Sequence, residues 1–328
     1  MKLLELFSGI GGFALGLQRA GFEFSEHYFS EIDKSAIANY KHNFKNAKYI
    51  GSVTDIRGTD FTGIDIITFG SPCQDFSLAG KRKGLEGERS SLIGEAIRLI
   101  DECRPSVFIW ENVKGAFSSN NSEDFWAIIQ AFTNIGGYII EWQLLNTKWF
   151  LPQNRERIYL IGHLANRSIP GIFPIGEDGE LFNKAKRYKR EEREWFQATN
   201  FSGTITNNGF CRNTDTYVKV GTWRTHKDGN GFRTSENNIS PTLPARARTD
   251  GSGQVVIRQH PQCFDKIRRL TEIECERLQG FPDDWTRYGN YDGKIQEISK
   301  SQRYKMIGNA VTVDVVAEIG KRLKITYH

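Results

Sequence analysis

The residues Ile64-Asp65-Ile66-Ile67-Thr68-Phe69-Gly70-Ser71-Pro72-Cys73-Gln74 carry the strongest structural signal in this chain. The apolar run at 64–69 predicts a buried strand, and Gly70 and Ser71 mark its end. Cys73 therefore follows the carboxyl end of a strand, which is where open α/β sheets bind their ligands. Free cysteines are more often small buried packing residues, so the role of Cys73 depends on its neighbours.

Short apolar runs alternate with helical periodicity from residue 1 to about residue 163. This alternation is typical of βαβ units, and it predicts an α/β fold with a doubly wound, mostly parallel sheet. The predicted strands lie at 3–7, 26–30, 65–69, 107–110 and 158–161, and the clearest helices at 90–102 and 125–135.

A second, smaller domain is predicted beyond Pro170, where Gly, Asn, Thr and Arg follow one another without a clear period through residues 204–253. Such a composition favours a loop-rich unit. Residues 299–323 return to helical spacing and are expected to pack back on the first domain. We therefore predict one domain of residues 1–180 and 299–328, and another of residues 181–298.

The basic charge of the chain is concentrated in one segment. The whole chain has a net charge of +5, whereas residues 184–269 alone contain 17 Lys/Arg and 8 Asp/Glu. Neutralising phosphates supplies most of the affinity of proteins for nucleic acids irrespective of sequence, so this segment favours a polyanionic partner. A solvated surface is the alternative, and it is preferred for residues 184–194, where glutamates interleave with the cations.

The cysteines are five in number and scattered, with no Cys-x-x-Cys pair. This spacing argues against a disulfide framework or a zinc site, so no metal is expected and the reducing cytoplasm is the predicted compartment. The start of the chain lacks a charged segment followed by a long apolar one, and no stretch approaches the roughly 20 apolar residues of a membrane span. Neither export nor membrane insertion is expected.

A glycine-rich turn follows the first predicted strand, with the sequence Phe7-Ser8-Gly9-Ile10-Gly11-Gly12-Phe13. Glycines at such a turn allow a ligand to approach backbone N–H groups at the start of a helix. The spacing is neither Gly-x-Gly-x-x-Gly nor that of a P-loop, so neither a nicotinamide dehydrogenase nor a P-loop enzyme is favoured.

An acid follows the second predicted strand. Glu31 stands about 20 residues beyond the glycine turn, the position from which such folds bind ribose hydroxyls. A cofactor that contains a nucleoside is therefore expected. The alternative is an acid that stabilises the amino end of a helix, a role open to Asp33 as well.

Two further segments bring charged residues to the same predicted edge. Glu111 directly follows an apolar strand, which makes a purely surface role improbable. Arg155 and Arg157 lie on one face if residues 153–159 form a strand. Arginines there require an anion or a polar ring, and salt bridges within the domain are the competing explanation.

Six segments together resemble the bacterial cytosine-5 DNA methyltransferases of restriction-modification systems, in the order of that family. They are residues 7–13, 70–77, 111–113, 153–159, 269–282 with ECERLQGFP at 274–282, and 308–311. The resemblance covers nearly the whole chain except about residues 182–262. Six motifs in order are far more specific than any one of them.

The resemblance implies an S-adenosylmethionine-dependent methyltransferase with a Rossmann-like catalytic domain and a target-recognition domain. Cys73 would add to C6 of the target cytosine. Glu111 would hydrogen-bond N3 and N4 of that ring, and Arg157 would hold O2 with Arg155 assisting. The implied cofactor residues are Phe7, Gly9, Gly11, Glu31, Ile32, Ser52, Pro72, Asn309 and Ala310. Ser52 stands where many relatives carry an acid that meets the adenine amino group, and Asp55 is the alternative there.

Duplex DNA is the implied substrate, with the target base flipped out of the helix. Asn230 is the candidate to fill the vacated space. The other implied DNA-binding residues are Arg224, Arg233, Thr242, Arg246 and Arg248, whose contacts with bases and phosphates the sequence does not separate.

Two other functions remain open at this point. The first is an RNA cytosine-5 methyltransferase that acts on tRNA, and the second is a noncatalytic DNA-binding module on the same fold. If the protein is a DNA methyltransferase, it is expected to be a monomer. A cognate restriction endonuclease that acts on the same DNA site is then the expected partner.

Overall fold

A seven-stranded sheet forms the centre of the computed structural model, which describes residues 1–71, 92–114, 123–176, 217–223, 232–235, 239–245, 254–260 and 266–325. The strands of the first half are β1 (Lys2–Leu6), β2 (Glu26–Phe29), β3 (Lys48–Tyr49), β4 (Ile66–Gly70), β5 (Val107–Val113), β6 (Tyr138–Asn146), β7 (Gln153–Asn154), β8 (Glu156–Leu164) and β9 (Ser168–Ile169). The order in the sheet is β3-β2-β1-β4-β5-β8-β6.

The sheet is mostly parallel, as the sequence predicts. Strands β1 to β5 pair in parallel, whereas β8 pairs antiparallel with both β5 and β6. The register joins Leu6 to Phe69 and Gly70 to Glu111, so the carboxyl ends of β1, β4 and β5 lie side by side. Because β8 runs in the opposite direction, its amino end reaches that same edge.

Helices cover both faces of the sheet, which explains why the strands are continuous apolar runs. The helices are α1 (Gly12–Arg19), α2 (Lys34–Asn43), α3 (Leu92–Cys103), α4 (Glu123–Asn134), α5 (Glu272–Leu278), α6 (Lys300–Asn309) and α7 (Val313–Arg322). Leu3 contributes to the core cluster formed with α1 and α7, and its neighbour Leu4 to the cluster formed with α3 and α4. The two predicted helices at 90–102 and 125–135 are thus confirmed as α3 and α4.

The end of the chain packs against its beginning. Helix α7 lies on α1, where a Cβ on Gly16 would come within 2.6 Å of the Val316 side chain. Only glycine permits that approach. The predicted helical stretch at 299–323 forms two helices, α6 and α7, which are separated at Ala310.

The remaining described strands form smaller sheets. They are β10 (Tyr217–Trp223), β11 (Phe232–Thr234), β12 (Ser240–Pro241), β13 (Val255–His260), β14 (Lys266–Arg269), β15 (Tyr288–Tyr291), β16 (Lys294–Glu297) and β17 (Lys324–Ile325). Strands β11, β10, β13 and β14 make a four-stranded sheet, and β12 pairs with β7.

The division of the chain at residues 180 and 298 stays a prediction. Part of the segment 181–298 lies directly on α2, since the Asn39 side-chain amide donates to the carbonyl oxygens of Trp285 and Tyr288. Within the described ranges no helix is long and apolar enough to cross a membrane.

Candidate active site at the carboxyl edge of the sheet

The glycine turn after β1 has the backbone geometry of a ligand-binding loop. Phe7, Gly9 and Gly11 have φ angles of 50°, 55° and 80°, in the left-handed region that favours glycine. A Cβ on Gly11 would lie 2.2 Å from the Phe44 ring, whereas no atom lies within 4 Å of the corresponding position on Gly9. The turn is therefore tightly packed against Phe44 at Gly11, whereas the space next to Gly9 is open.

Glu31 is fixed against this turn. Its Oε2 accepts a hydrogen bond from the Gly9 N–H at 2.8 Å, and its Oε1 accepts from the N–H groups of Ile32 and Asp33. The side chain of Ile32 is 76% exposed, which is unusual for a large apolar residue. The structure thus brings together an open glycine, a carboxylate and an exposed apolar surface, all predicted as cofactor residues.

Asp33 serves the alternative role that the sequence left open, that of a helix cap. Its Oδ1 accepts from the N–H groups of Ser35 and Ala36 at the start of α2. The Lys305 ammonium lies 2.5 Å from Asp33 Oδ2. Burial alone would raise the pKa of Asp33, but Lys305 and the two amides lower it below its ordinary value. Lys305 therefore ties α6 to the turn that follows β2.

Glu111 and Arg157 meet at the junction of β5 and β8. Arg157 Nε lies 3.0 Å from Glu111 Oε1, and only 15% and 9% of the two side chains are exposed. A Cβ on Gly70 would lie 3.2 Å from Glu111 Oε2, so the absence of a side chain at Gly70 leaves room for the carboxylate. The carboxylate and guanidinium that the sequence predicts to act together are in contact.

The strand end that leads to Cys73 is held rigidly. Ser71 Oγ accepts hydrogen bonds from Trp110 Nε1 at 3.0 Å and from Asn112 Nδ2 at 3.1 Å. Both donors are buried and flank Glu111 in β5. Pro72 and Cys73 themselves lie outside the described residues, but the chain enters that segment from a fixed point next to Glu111.

Arg155 does not share the surroundings of Arg157. Its guanidinium is buried and donates to the carbonyl oxygens of Gly308 at 3.2 Å and Ala310 at 2.8 Å. The sequence predicted both arginines on one face of a strand, but their described partners differ, and Arg155 lies in the single-residue link between β7 and β8. Its described hydrogen bonds are to the end of α6.

The junction between α6 and α7 forms a wall of the glycine turn. A Cβ on Gly12 would lie 2.6 Å from Val311 Cγ2, so this junction presses directly on the start of α1. Asn309 is exposed and Ala310 is buried.

Ser52 and Asp55, the two polar candidates for the adenine contact, belong to one hydrogen-bonded turn. Ser52 Oγ lies 2.9 Å from Thr54 Oγ1, which donates to Asp55 Oδ1 at 2.9 Å.

The predicted DNA-binding residues are only partly described. Arg233 is an exposed residue of β11, and Thr242 Oγ1 donates to the Asn154 carbonyl oxygen at 2.7 Å. The other four lie outside the described residues, namely Arg224, Asn230, Arg246 and Arg248. No group of three or more potential metal ligands was found where the chain is described.

Beneath the glycine turn lies a buried polar network that no sequence motif predicted. Glu5 is completely buried, and its Oε2 accepts from Tyr40 Oη at 2.9 Å and from the Ala14 N–H at 3.2 Å. His27 Nε2 lies 2.6 Å from Tyr40 Oη. Burial raises the pKa of Glu5 to about 8 and lowers that of His27 to about 4. The available signal was an acid inside the apolar run Leu3-Leu4-Glu5-Leu6.

The sheet order, the antiparallel β8 and the glycine turn facing Glu31 define an α/β protein of the methyltransferase class. Among known families, the C-5 cytosine-specific DNA methylases match residues 1–325. The chain belongs to this family, and it is a DNA (cytosine-5) methyltransferase.

Individual relatives agree with this assignment. The chain is 32% identical to the Type II methyltransferase M.Bsp6I of Bacillus sp. (strain RFL6), with 98% of each chain covered. It is 39% identical to the orphan methyltransferase M.SPRI of Bacillus phage SPR, over 100% of this chain and 98% of the phage protein. The solved structure of the S. pombe Dnmt2 methyltransferase shares the fold, with a TM-score of 0.62, 17% identity, and 97% of this chain and 96% of that chain covered.

Proposed function

We propose that this protein transfers a methyl group from S-adenosylmethionine to C5 of a flipped-out cytosine within a specific duplex DNA sequence. The observation that carries the proposal is the contact between Glu111 and Arg157 beside the strand end that leads to Cys73. The membership of the family supports the reaction, and the geometry supports the roles of individual residues.

The pair suits the polar edge of cytosine. That edge presents an amino group at N4, an acceptor at N3 and a carbonyl oxygen at O2. A carboxyl group can accept from N4 and share a proton with N3, while a guanidinium donates to O2. Glu111 and Arg157 offer these groups 3.0 Å apart in a largely buried corner, where electrostatic contacts are stronger than in water.

Cys73 is proposed as the nucleophile. Its thiolate forms a bond to C6, and the electron pair of the C5–C6 double bond makes C5 nucleophilic. Protonation at N3, with Glu111 as the donor, removes the negative charge that this addition would otherwise create in the ring. After methylation, loss of the C5 proton to a base restores the double bond as the C6–S bond breaks.

The residues at the glycine turn fit S-adenosylmethionine. Glu31 presents a carboxylate suited to ribose hydroxyls, the exposed Ile32 offers an apolar surface to the adenine ring, and Gly9 leaves open space. When bound, the cofactor supplies an electrophilic methyl group on a sulfonium centre. Phe7, Gly11, Ser52, Pro72, Asn309 and Ala310 are proposed to complete its pocket.

Duplex DNA is proposed as the substrate, with the basic segment of 181–298 as its reader and Asn230 in the space of the flipped base. We also propose that the protein is a monomer. Of the two relatives named above, one is a Type II methyltransferase and one an orphan methyltransferase. We propose that a cognate restriction endonuclease recognises the same DNA sequence. The test is whether the source cells cleave unmethylated DNA at that sequence and leave methylated DNA intact.

The deciding experiment offers duplex DNA and tRNA in parallel to the protein and a labelled methyl donor. We expect label in DNA, no transfer by Cys73→Ser, and normal transfer by the control Cys103→Ser. Cys103 is a suitable control because its Sγ donates to the Gly58 carbonyl oxygen on another part of the surface. Label confined to tRNA would overturn the substrate, and turnover by Cys73→Ser would overturn the nucleophile.

A second measurement tests the covalent step directly. A duplex with fluorine at C5 of the target cytosine cannot lose a C5 proton, so the protein should remain attached to it through Cys73. Bisulfite sequencing of DNA from expressing cells then identifies the methylated sequence. Methylated cytosines without any attached complex on the fluorinated duplex would contradict the addition of Cys73 to C6.

A further inference from the structure

Arg155 holds the end of a helix by a pair of hydrogen bonds. Only 2% of the residue is exposed, and its two terminal nitrogens donate to the carbonyl oxygens of Gly308 and Ala310. These carbonyls lie at the carboxyl end of α6, where helix carbonyls lack partners within the helix and the helix dipole favours a cation. The two terminal nitrogens of the planar guanidinium donate to one carbonyl each, whereas a lysine would offer a single nitrogen to both.

The backbone of Arg155 is fixed as well. Its N–H donates to Asn146 Oδ1 at 3.2 Å, and its carbonyl oxygen accepts from the Thr147 N–H at 2.9 Å. Arg155 is therefore anchored in the single-residue link between β7 and β8, with its backbone bonded to Asn146 and Thr147 where β6 ends. Its side chain starts from a rigid point and ends on another element.

The helix end that Arg155 holds is the wall of the glycine turn. Val311 follows the two bonded carbonyls directly and packs on Gly12. Gly308 is packed as closely, since a Cβ there would lie 2.6 Å from the Ala245 backbone nitrogen. The junction is thus tightly packed at Gly12 and at Gly308, and Arg155 binds its backbone through two carbonyl oxygens.

Arg157, two residues further on, has a different partner. It contacts Glu111 at the edge of β5. One short segment therefore sends one guanidinium to the proposed base pocket and another to the wall of the proposed cofactor pocket. The two arginines divide the tasks that the sequence motif assigns to them jointly.

We propose that Arg155 is a positioning residue for the cofactor pocket and does not contact the target cytosine. The inference rests on the proposed function, since it assumes S-adenosylmethionine at the glycine turn. Loss of the guanidinium frees the segment 308–311 to move away from Gly12 and so weakens cofactor binding. The reacting groups around the base remain in place.

The test compares Arg155→Met and Arg155→Lys with Arg157→Met. Binding of S-adenosylhomocysteine is measured by calorimetry, and the methylation rate is measured in a single turnover at saturating cofactor and duplex. We expect Arg155→Met to raise the dissociation constant about tenfold or more, with the rate changed by less than about threefold. The dissociation constant of Arg155→Lys should lie between those of the unmodified protein and Arg155→Met. Arg157→Met should bind S-adenosylhomocysteine normally but lose the methylation rate.

Unchanged affinity in the Arg155 variants together with a lost rate would show that Arg155 contacts the base, and would overturn the inference. A lower melting temperature with unchanged affinity would also overturn it, because the role would then be structural only. Arg155→Lys retains the positive charge, so the same two measurements can be made on it if Arg155→Met does not fold. Failure of the unmodified protein to bind S-adenosylhomocysteine would instead reject the proposed function.

Discussion

The guanidinium of Arg157 and the carboxylate of Glu111 form an ion pair that joins the amino end of β8 to the carboxyl end of β5. A parallel strand in the place of β8 would carry its amino end to the opposite edge of the sheet. The reversed direction of β8 is therefore what allows a residue at the start of one strand to meet a residue at the end of another. The proposed base pocket depends on this topology.

Glu111→Gln should lower the single-turnover rate by about 100-fold to 10,000-fold, the usual contribution of a positioned proton donor. The amide keeps the shape of the side chain and loses the acidic proton, so duplex binding should change little. Glu156→Gln is the matched control, since Glu156 is a nearby carboxylate that pairs with Lys114 at the surface. Equal rates for the two variants would exclude Glu111 from the proton transfer.

Glu31→Gln should raise the dissociation constant for S-adenosylhomocysteine about tenfold, because a charged acceptor on the ribose hydroxyls becomes neutral. Calorimetry measures the change. The control is Glu23→Gln, which alters an exposed carboxylate in the loop before β2. The assignment of Glu31 fails if both variants bind the ligand as the unmodified protein does.

Gly11→Ala should destabilise the fold by about 2–5 kcal/mol, the sum of overpacking and left-handed strain. The overpacking arises because the new methyl group would lie 2.2 Å from the Phe44 ring. Gly21→Ala provides the control, since Gly21 also has a positive φ, of 96°, but no atom lies within 4 Å of its Cβ position. The free energy of unfolding of Gly21→Ala should fall only by the left-handed strain, about 1–2 kcal/mol. Urea unfolding measures both, and equal losses would contradict the packing argument.

Glu5→Gln should remove a fall in stability that occurs between about pH 4.5 and 8. Burial raises the pKa of Glu5 from 4.5 to about 8, so the folded protein retains a proton that the unfolded chain has lost. The stability that this proton contributes is complete below about pH 4.5 and is lost as the pH rises through 8. In this range the free energy of unfolding decreases by up to about 1.4 kcal/mol per pH unit.

The clearest window for that measurement is pH 6.5 to 8. Below pH 6.5, His27 changes the free energy of unfolding in the opposite direction to Glu5. Burial lowers the pKa of His27 from 6.5 to about 4, so the stability that its neutral form contributes is lost as the pH falls. Urea unfolding of the unmodified protein and of Glu5→Gln at several pH values should give diverging stabilities across the window. Parallel curves would mean that Glu5 is ionised in the folded protein.

The sequence predicted the central strands well because they are buried on both faces and are therefore continuous apolar runs. Strand β6 was not predicted. It is an edge strand whose middle residues are half-buried, and Glu141 interrupts its apolar pattern. Helix α2 was anticipated only through Asp33 at its start, since its buried face consists mainly of small and polar residues. Their pattern carries little hydrophobic periodicity.

For the candidate site, the sequence predicted that Glu31 and the glycine turn serve one cofactor and that Glu111 and Arg157 lie around one cytosine. It did not predict the direct contact of Glu111 with Arg157. It placed Arg155 and Arg157 on one face of a strand, whereas Arg155 binds the end of α6 and Arg157 contacts Glu111. The backbone N–H of Arg155 donates to the side chain of Asn146, a partner that no local pattern reveals. The partners of Lys305 and Glu5 come from distant parts of the chain in the same way.

The packing of α7 on α1 has a consequence for synthesis of the protein on the ribosome. Leu17 and Gly16 are made early, yet the surface that covers them, including Val316, is translated only after every strand of the central sheet. Until then the nascent chain exposes apolar groups that bind chaperones and attract other chains. The glycine turn, which packs on Val311 through Gly12, can therefore reach its final structure only after the whole central sheet has been synthesised.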